Sequence, residues 1–152
     1  MIRTRRLSEL LTEAKPGFAT GEQSEDGVFQ VRMNNVTAGG AWDLTKRRRV
    51  PPPVGGGAAF ALRPGDVLFN ATNSPDLVGK TALVNDLGEP AVYSNHFLRL
   101  RTEATQLDPA YLARWLQHQF SRGVFRGLSR QWVNQAAVGR ERLLALDVLP
   151  RD

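Results

Sequence analysis

The feature that most constrains this chain is residues 62–84, where a short apolar run breaks into a polar loop and a second apolar run follows. A Pro-Gly-Asp turn at 64–66 predicts the start of a buried strand. After that strand come four side chains that donate and accept hydrogen bonds: Asn70, Thr72, Asn73 and Ser74. Gly79 then allows another group to approach the backbone closely, and Lys80 supplies a positive charge beside it. The pattern predicts a recognition loop that contacts an anionic ligand with an ordered edge of hydrogen-bonding groups.

The remaining sequence predicts short strands and short helices. Asp108 followed by Pro109 is typical of a helix N-cap with proline at the first helical position. Lys46 to Val54 is interpreted as a loop. The strands are expected at 28–33, 67–70, 81–84, 91–93, 97–101 and 145–149, the last ending at Pro150, and the helices at 7–14, from 108 onward and at 139–144. The prediction is an α+β fold with a twisted, mainly antiparallel, meander-like sheet and flanking short helices.

Composition limits the possible functions. The 152 residues are 41% hydrophobic, which is enough for one compact domain spanning 1–152. The chain has no cysteine and two histidines, so we expect neither a disulfide nor a structural metal. No apolar run approaches the roughly 20 residues of a membrane span, which predicts a cytoplasmic protein without membrane contacts.

The net charge of +5 is distributed unevenly. Basic clusters at 3–6, 46–49 and 114–151 flank an acid-rich middle, and together they could form one stripe that neutralises phosphates. Arg32 and Arg48 are candidate phosphate contacts in this interpretation. The alternative is that each cluster is a solvated face unconnected to any ligand.

The sequence matches the motifs of known catalytic sites poorly. A PD-(D/E)xK nuclease needs an acid followed by acid-x-Lys, but Asp76 is followed by Leu-Val-Gly-Lys. The Asn-Pro-Pro-aromatic loop of an amino-methyltransferase is absent from the sequence. His96 and His118 are expected to be structural or exposed. A nuclease whose acids, such as Asp66 and Asp76, meet only in the fold and bind magnesium remains an alternative.

The polar loops favour binding. Asn34 and Asn35 follow a strand in a turn, and amide side chains can pair bidentately with adenine in the major groove. Stabilisation of the turn by the same amides is an equally good interpretation. The loop at 70–74 has the same two interpretations, and Lys80 is predicted to contact phosphate rather than to be a solvated charge.

The stretch GDVLFNATNSPDLVGKTALV resembles the central signature of target recognition domains in type I restriction-modification DNA specificity subunits. The segments GFAT, GVFQVRMNNVTAGGAWDL, YLARWLQHQF and SRQWVNQAAVGRERLLALDVLP are similar to flanking parts of that family, in the expected order. The resemblance favours base contacts by the loop at 70–76, and groove contacts are also expected from the loop at 33–37. It also implies a loop near the DNA face at 129–134, with Arg130, Gln131 and Asn134 as contacts. Trp132 is expected in the core.

The resemblance implies that the chain binds double-stranded DNA and reads one half of a bipartite sequence, without an activity or a cofactor of its own. Modification (methyltransferase) subunits that bind S-adenosylmethionine, and through them a restriction subunit, would be its partners. The sequence contains one such domain and no long spacer helix, which leaves an excised domain, a split subunit and a stand-alone module as alternatives. A rival function is a protein-interaction module or subunit mimic that binds the modification subunit without DNA.

Overall fold

The fold is described by a computed structural model for residues 3–55 and 57–149. The strands are β1 (Arg5–Arg6), β2 (Leu11–Pro16), β3 (Val28–Val31), β4 (Arg48–Val50), β5 (Val67–Asn70), β6 (Thr72–Asn73), β7 (Thr81–Leu83), β8 (Ala91–Tyr93), β9 (Phe97–Thr102), β10 (Arg130–Trp132), β11 (Gln135–Ala137) and β12 (Asp147–Val148). The α-helices are α1 (Pro109–Ser121), α2 (Val124–Leu128) and α3 (Arg140–Leu144), and 3-10 turns lie at Leu7–Glu9, Met33–Asn35 and Ala58–Phe60.

The central sheet has the order β2-β9-β5-β7, and all of its pairings are antiparallel. One of its two inner strands, β5, is buried along its whole length. Because side chains alternate between the faces of a strand, Val67 and Phe69 enter one apolar cluster and Leu68 enters another. The continuous apolar run that predicted this strand therefore reflects a core on both faces of the sheet.

One face of the central sheet is covered by α1. The Asp108 carboxylate accepts a hydrogen bond from the Ala110 amide at 2.8 Å, which confirms the predicted N-cap before Pro109. Leu112 and Leu116, four residues apart, are fully buried against the sheet. Within the described residues, no helix is long and apolar enough to cross a membrane.

The other face is covered by a second sheet, of order β4-β3-β8. Here β3 pairs with β4 in antiparallel fashion and with β8 in parallel fashion. The prediction of a meander was therefore wrong, since β8 joins the distant β3 instead of its sequence neighbours. A third, small sheet has the order β10-β11-β6. The strands β10 and β11 form a hairpin, and β11 pairs with β6, which directly follows the end of β5 at Asn70.

Two local predictions were also wrong. Residues 7–14 are not a helix: Leu7 and Leu10 are buried on a 3-10 turn, and β2 then pairs with β9. The interval 46–54 is not entirely loop, because β4 pairs with β3 along it. In both segments, pairing with a strand that is distant in sequence overrides the structure that the local sequence pattern favours. The last predicted strand is shortened to β12, and its expected end at Pro150 lies outside the described residues.

Tyr93 provides a test of the core between the two sheets. Its side chain is fully buried and its hydroxyl donates a hydrogen bond to the Lys15 carbonyl at 2.9 Å. Burial raises the pKa of Tyr93 from 10.0 to about 12. A raised pKa means that the fold favours the neutral phenol, so this stabilisation is complete below pH 10.0 and is lost as the pH rises toward about 12.

We expect the free energy of unfolding of the native protein to fall relative to Tyr93→Phe by roughly 2 kcal/mol between pH values of about 9 and 11.5. Urea unfolding of both proteins across this interval measures the difference. The phenylalanine variant is the matched control because it keeps the ring and every other titrating group. Parallel pH profiles would contradict the burial of the phenol.

Candidate nucleic-acid interface

A cleft of about 500 Å³ opens where five separate parts of the chain meet. Its walls come from 18–20, from 30–34 with Arg48, from 73–80 and from 94–96. Five predicted site residues line it: Arg32, Asn34, Arg48, Asn73 and Lys80. The fold therefore brings the 33–37 turn and the 70–80 loop to one place, although about 35 residues separate them in sequence.

A second cleft of about 660 Å³ adjoins the first and is strongly basic. It lies between residues 23–25 and residues 46–49. Arg32 and Arg48 line both clefts, and among the described residues their Nε atoms are the buried side-chain donors without a hydrogen-bond partner. Two guanidinium groups with unused donors thus form the boundary between the clefts, where an anion would find positive charge on both sides.

Not all of the basic residues beside this boundary are free to meet an anion. Arg47 and Arg49 both pair with the Glu89 carboxylate, at 2.7 and 2.5 Å, and these contacts lower the pKa of Glu89 and raise that of Arg49. Arg48 instead donates from Nη2 to the Thr20 carbonyl at 2.8 Å and meets no carboxylate within salt-bridge distance in the described structure. The predicted cluster at 46–49 therefore contains two arginines that share one carboxylate and an arginine, Arg48, that is paired with none among the described residues.

Lys80 lies at the floor of the first cleft and is 5% exposed. Its ammonium donates to the carbonyls of Met33 and Val36, at 2.7 and 2.6 Å. Burial lowers the pKa of Lys80. At least two of its three donors are therefore used to hold the 33–35 turn against the end of β5, and this leaves at most one for the phosphate contact predicted from the sequence.

Two of the predicted asparagines point into the protein. Asn35 is buried and donates to the carbonyls of Asp43 and Lys46, while its own oxygen accepts from the Arg32 amide. Asn70 is buried and donates to the carbonyls of Thr72 and His96. Both side chains thus stabilise turns, which was the alternative interpretation of each.

Asn73 joins this internal network and also reaches the cleft. Its Nδ2 donates to the Asn70 Oδ1 at 2.7 Å, and its own Oδ1 accepts from the Ser74 amide at the same distance. Thr72 and Ser74 are partly exposed, and Asn34 is exposed at the rim. Of the asparagines and hydroxyls predicted to contact DNA in the 33–37 and 70–76 segments, Asn34, Thr72 and Ser74 are those whose side chains remain accessible.

The third predicted region is a hairpin rather than a loop. Arg130, Gln131 and Asn134 are exposed on it, and Asn134 adopts a left-handed backbone (φ 58°) in a two-residue turn. Trp132 is 53% exposed, so its predicted place in the core was wrong. The hairpin does not line either cleft, but β11 pairs directly with Thr72 and Asn73.

The acids suggested for a metal-dependent nuclease are paired with different arginines. Asp66 is buried, contacts Arg101 at 2.8 Å and accepts from the Arg63 amide. Asp76 is exposed and contacts Arg126 at 2.6 Å. Across 3–55 and 57–149, no group of three or more histidine, cysteine or acidic side chains is arranged to hold a metal ion.

Several cleft residues were missed by the sequence analysis. Phe18 and Thr20 form one wall, and Ser94, Asn95 and His96 form another. The carbonyl of His96 accepts from the amides of Ala71 and Thr72, so the 94–96 turn is attached to the start of the recognition loop. The polar 94–96 turn between two predicted strands was the signal in the sequence that could have indicated these residues. Its position at the cleft follows from the parallel pairing of β3 with β8, which the sequence does not reveal.

The chain is similar in sequence to a known protein along nearly its whole length. No protein-family model matches the chain. The chain is 25% identical over 146 residues to a protein named as the MjaX type I restriction enzyme specificity subunit of Methanocaldococcus jannaschii, covering 95% of this chain and 34% of that protein. The chain therefore resembles a type I specificity subunit along nearly its whole length. It spans about one third of that specificity subunit.

Solved type I specificity subunits share the fold. The S subunit from M. genitalium matches with a TM-score of 0.63 and 14% identity, over 97% of this chain and 33% of that one. The HsdS subunit from Thermoanaerobacter tengcongensis matches with a TM-score of 0.61 and 19% identity, over 97% and 32% of the two chains. The predicted α+β fold, mainly antiparallel with short flanking helices, is confirmed.

Proposed function

We propose that this chain recognises double-stranded DNA sequence-specifically, as the target-recognition part of a type I restriction-modification system. The observation that carries the proposal is the pair of adjoining clefts that share Arg32 and Arg48, with unused guanidinium donors between them. Guanidinium groups bind phosphate bidentately, and the polar turns around the first cleft carry amides suited to base edges. The resemblance to specificity subunits gives independent support.

The predicted contacts divide by accessibility into two roles. Asn35, Asn70 and Lys80 are positioning residues, because their polar atoms hold the turns that surround the cleft. Direct contacts are assigned to the accessible side chains. These are Arg32, Asn34, Arg48, Thr72, Ser74, Arg130, Gln131 and Asn134, with Asn73 at the edge of the cleft.

Methylation and cleavage would be carried out by partner subunits. A third solved structure that matches this chain, with a TM-score of 0.61 and 19% identity, concerns complex assembly and conformational transition of the type I R-M system. By that likeness, we propose a modification subunit, and through it a restriction subunit, as the protein partners. The chain itself would contribute recognition and no chemistry.

Selection from a randomised duplex pool tests the proposal. The purified protein is mixed with the pool at two salt concentrations, and the bound fraction is sequenced. We expect enrichment of a short motif, and an affinity that falls with a slope of about 0.9 in log salt for each phosphate neutralised. Binding with a steep salt slope but no motif would contradict sequence recognition by this chain alone. Capture of a modification subunit without any duplex binding would favour the subunit mimic.

A further inference from the structure

The tip of the β10–β11 hairpin exposes large apolar side chains. Trp132 is 53% exposed and Val133 is 86% exposed, and they lie next to each other where the hairpin turns. The hairpin is anchored at its base, because Ala136 is fully buried and β11 pairs with β6. Packing within the chain therefore explains the base of the hairpin but does not explain its tip.

The surroundings of the tip indicate the charge of its partner. Residues 121–140 contain four arginines and no acidic residue, and Arg126 is the one of these arginines that pairs with a carboxylate, that of Asp76, among the described residues. Arg130 and the amides of Gln131, Asn134 and Gln135 are exposed beside the two apolar side chains. An apolar tip beside a guanidinium group and several amide groups fits an anionic partner whose surface also offers hydrogen bonds, which is the chemistry of duplex DNA.

The dimensions favour the major groove. The two strands of a hairpin lie about 4.8 Å apart before their side chains are added, and a two-stranded ribbon fits the roughly 12 Å major groove rather than the roughly 6 Å minor groove. The apolar group on the floor of the major groove is the C5-methyl of thymine, and amide side chains pair with the adenine opposite it. The side chains at the tip match both parts of an A·T pair.

We propose that the β10–β11 hairpin enters the major groove and that Trp132 and Val133 contact thymine C5-methyl groups, which makes the hairpin a reader of thymine. This inference rests on the proposed function. It assigns the two apolar residues a role in specificity, with the Asn134 amide and the Gln131 Oε1 beside them for hydrogen bonds. The Gln131 Nε2 donates to the Arg126 carbonyl and the Ser129 hydroxyl, each at 3.2 Å. Arg130 would contact the adjacent phosphates.

Replacing thymine with uracil tests the contact, since uracil differs only by lacking the methyl group. The fraction of a random duplex pool bound by the native protein is amplified once with dTTP and once with dUTP, and the affinities for both products are measured. We expect the native protein to bind the uracil duplexes about fourfold less tightly for each contacted methyl. Trp132→Ala and Val133→Ser should bind the thymine duplexes more weakly and should discriminate less between the two products.

Val54→Ser is the matched control. Val54 is fully exposed and lies outside the hairpin, so this variant loses an apolar surface side chain without touching the tip and should discriminate as the native protein does. Equal affinity of the native protein for both products would overturn the thymine contact while leaving DNA binding intact. Unchanged DNA binding by both tip variants would also overturn it and would indicate a protein partner for the tip. Failure to bind any duplex would instead refute the proposed function.

Discussion

Replacing Gly79 with alanine is expected to destabilise the protein by about 4 kcal/mol, through backbone strain of about 1–2 kcal/mol and overpacking of about 1–3 kcal/mol. Gly79 has a φ of +97°, and an added Cβ would lie 2.5 Å from the Cβ of Phe125. Phe125 cannot move away easily because it is fully buried and packs edge-on against Phe69 at 4.8 Å. The melting temperature should fall by roughly 8–16 °C.

Gly123→Ala separates the two causes. Gly123 also has a left-handed backbone, with a φ of +78°, but nothing lies within 4 Å of the position that an added Cβ would occupy. This variant should therefore lose only the strain of about 1–2 kcal/mol, and its melting temperature should fall by roughly 2–8 °C. Equal losses in thermal or urea unfolding of the two variants would contradict the close approach of Gly79 to Phe125.

The Gly79 result also bears on the candidate interface. The Gly79 amide donates to the Asn70 carbonyl at 2.7 Å, and Lys80 follows directly with its bonds to the 33–36 turn. A displacement at Gly79 would therefore move both turns that line the first cleft. The sequence already indicated a close approach to the backbone at Gly79. The structure shows that the loop containing Gly79 requires glycine at this position.

Elements dominated by local chemistry could be predicted from the sequence. The N-cap at Asp108 and the turn before β5 depend on side chains a few residues apart, and both are present. The helix expected at 7–14 failed because Leu7 and Leu10 fit a 3-10 turn as well as an α-helix, and pairing of β2 with β9 determined the rest. Pairing partners of short strands lie far apart in sequence, so local patterns do not specify them.

The sequence indicated five of the residues that line the first cleft but not which of their side chains are accessible there. An asparagine in a turn can be a surface contact or an internal hydrogen-bonding residue, and the neighbours Asn34 and Asn35 differ in this respect, since Asn34 is exposed and Asn35 is buried. The exposure of Trp132 was missed because an aromatic residue between apolar elements usually packs inward. The clefts could not be predicted, since each is made by segments that only the tertiary fold brings together.

The arginines at the boundary between the two clefts should dominate DNA affinity. Hydrogen bonds to charged groups contribute about 1.5–3 kcal/mol each, so Arg32→Ala and Arg48→Ala should each weaken duplex binding at least roughly tenfold, and the double variant roughly 100-fold. The slope of log affinity against log salt should decrease by about 1 for each arginine removed. Fluorescence anisotropy with a labelled random duplex at several salt concentrations measures both quantities.

Two further variants distinguish position from charge. Arg63→Ala removes the same charge from an exposed residue before β5, at the end of that strand opposite Asn70, and should change affinity by less than the boundary variants do. Arg48→Lys keeps the charge but loses the planar fork, so it should restore the salt slope without restoring full affinity. If Arg63→Ala weakened binding as much as Arg48→Ala does, net charge alone would account for the affinity, and the boundary between the clefts would have no special role.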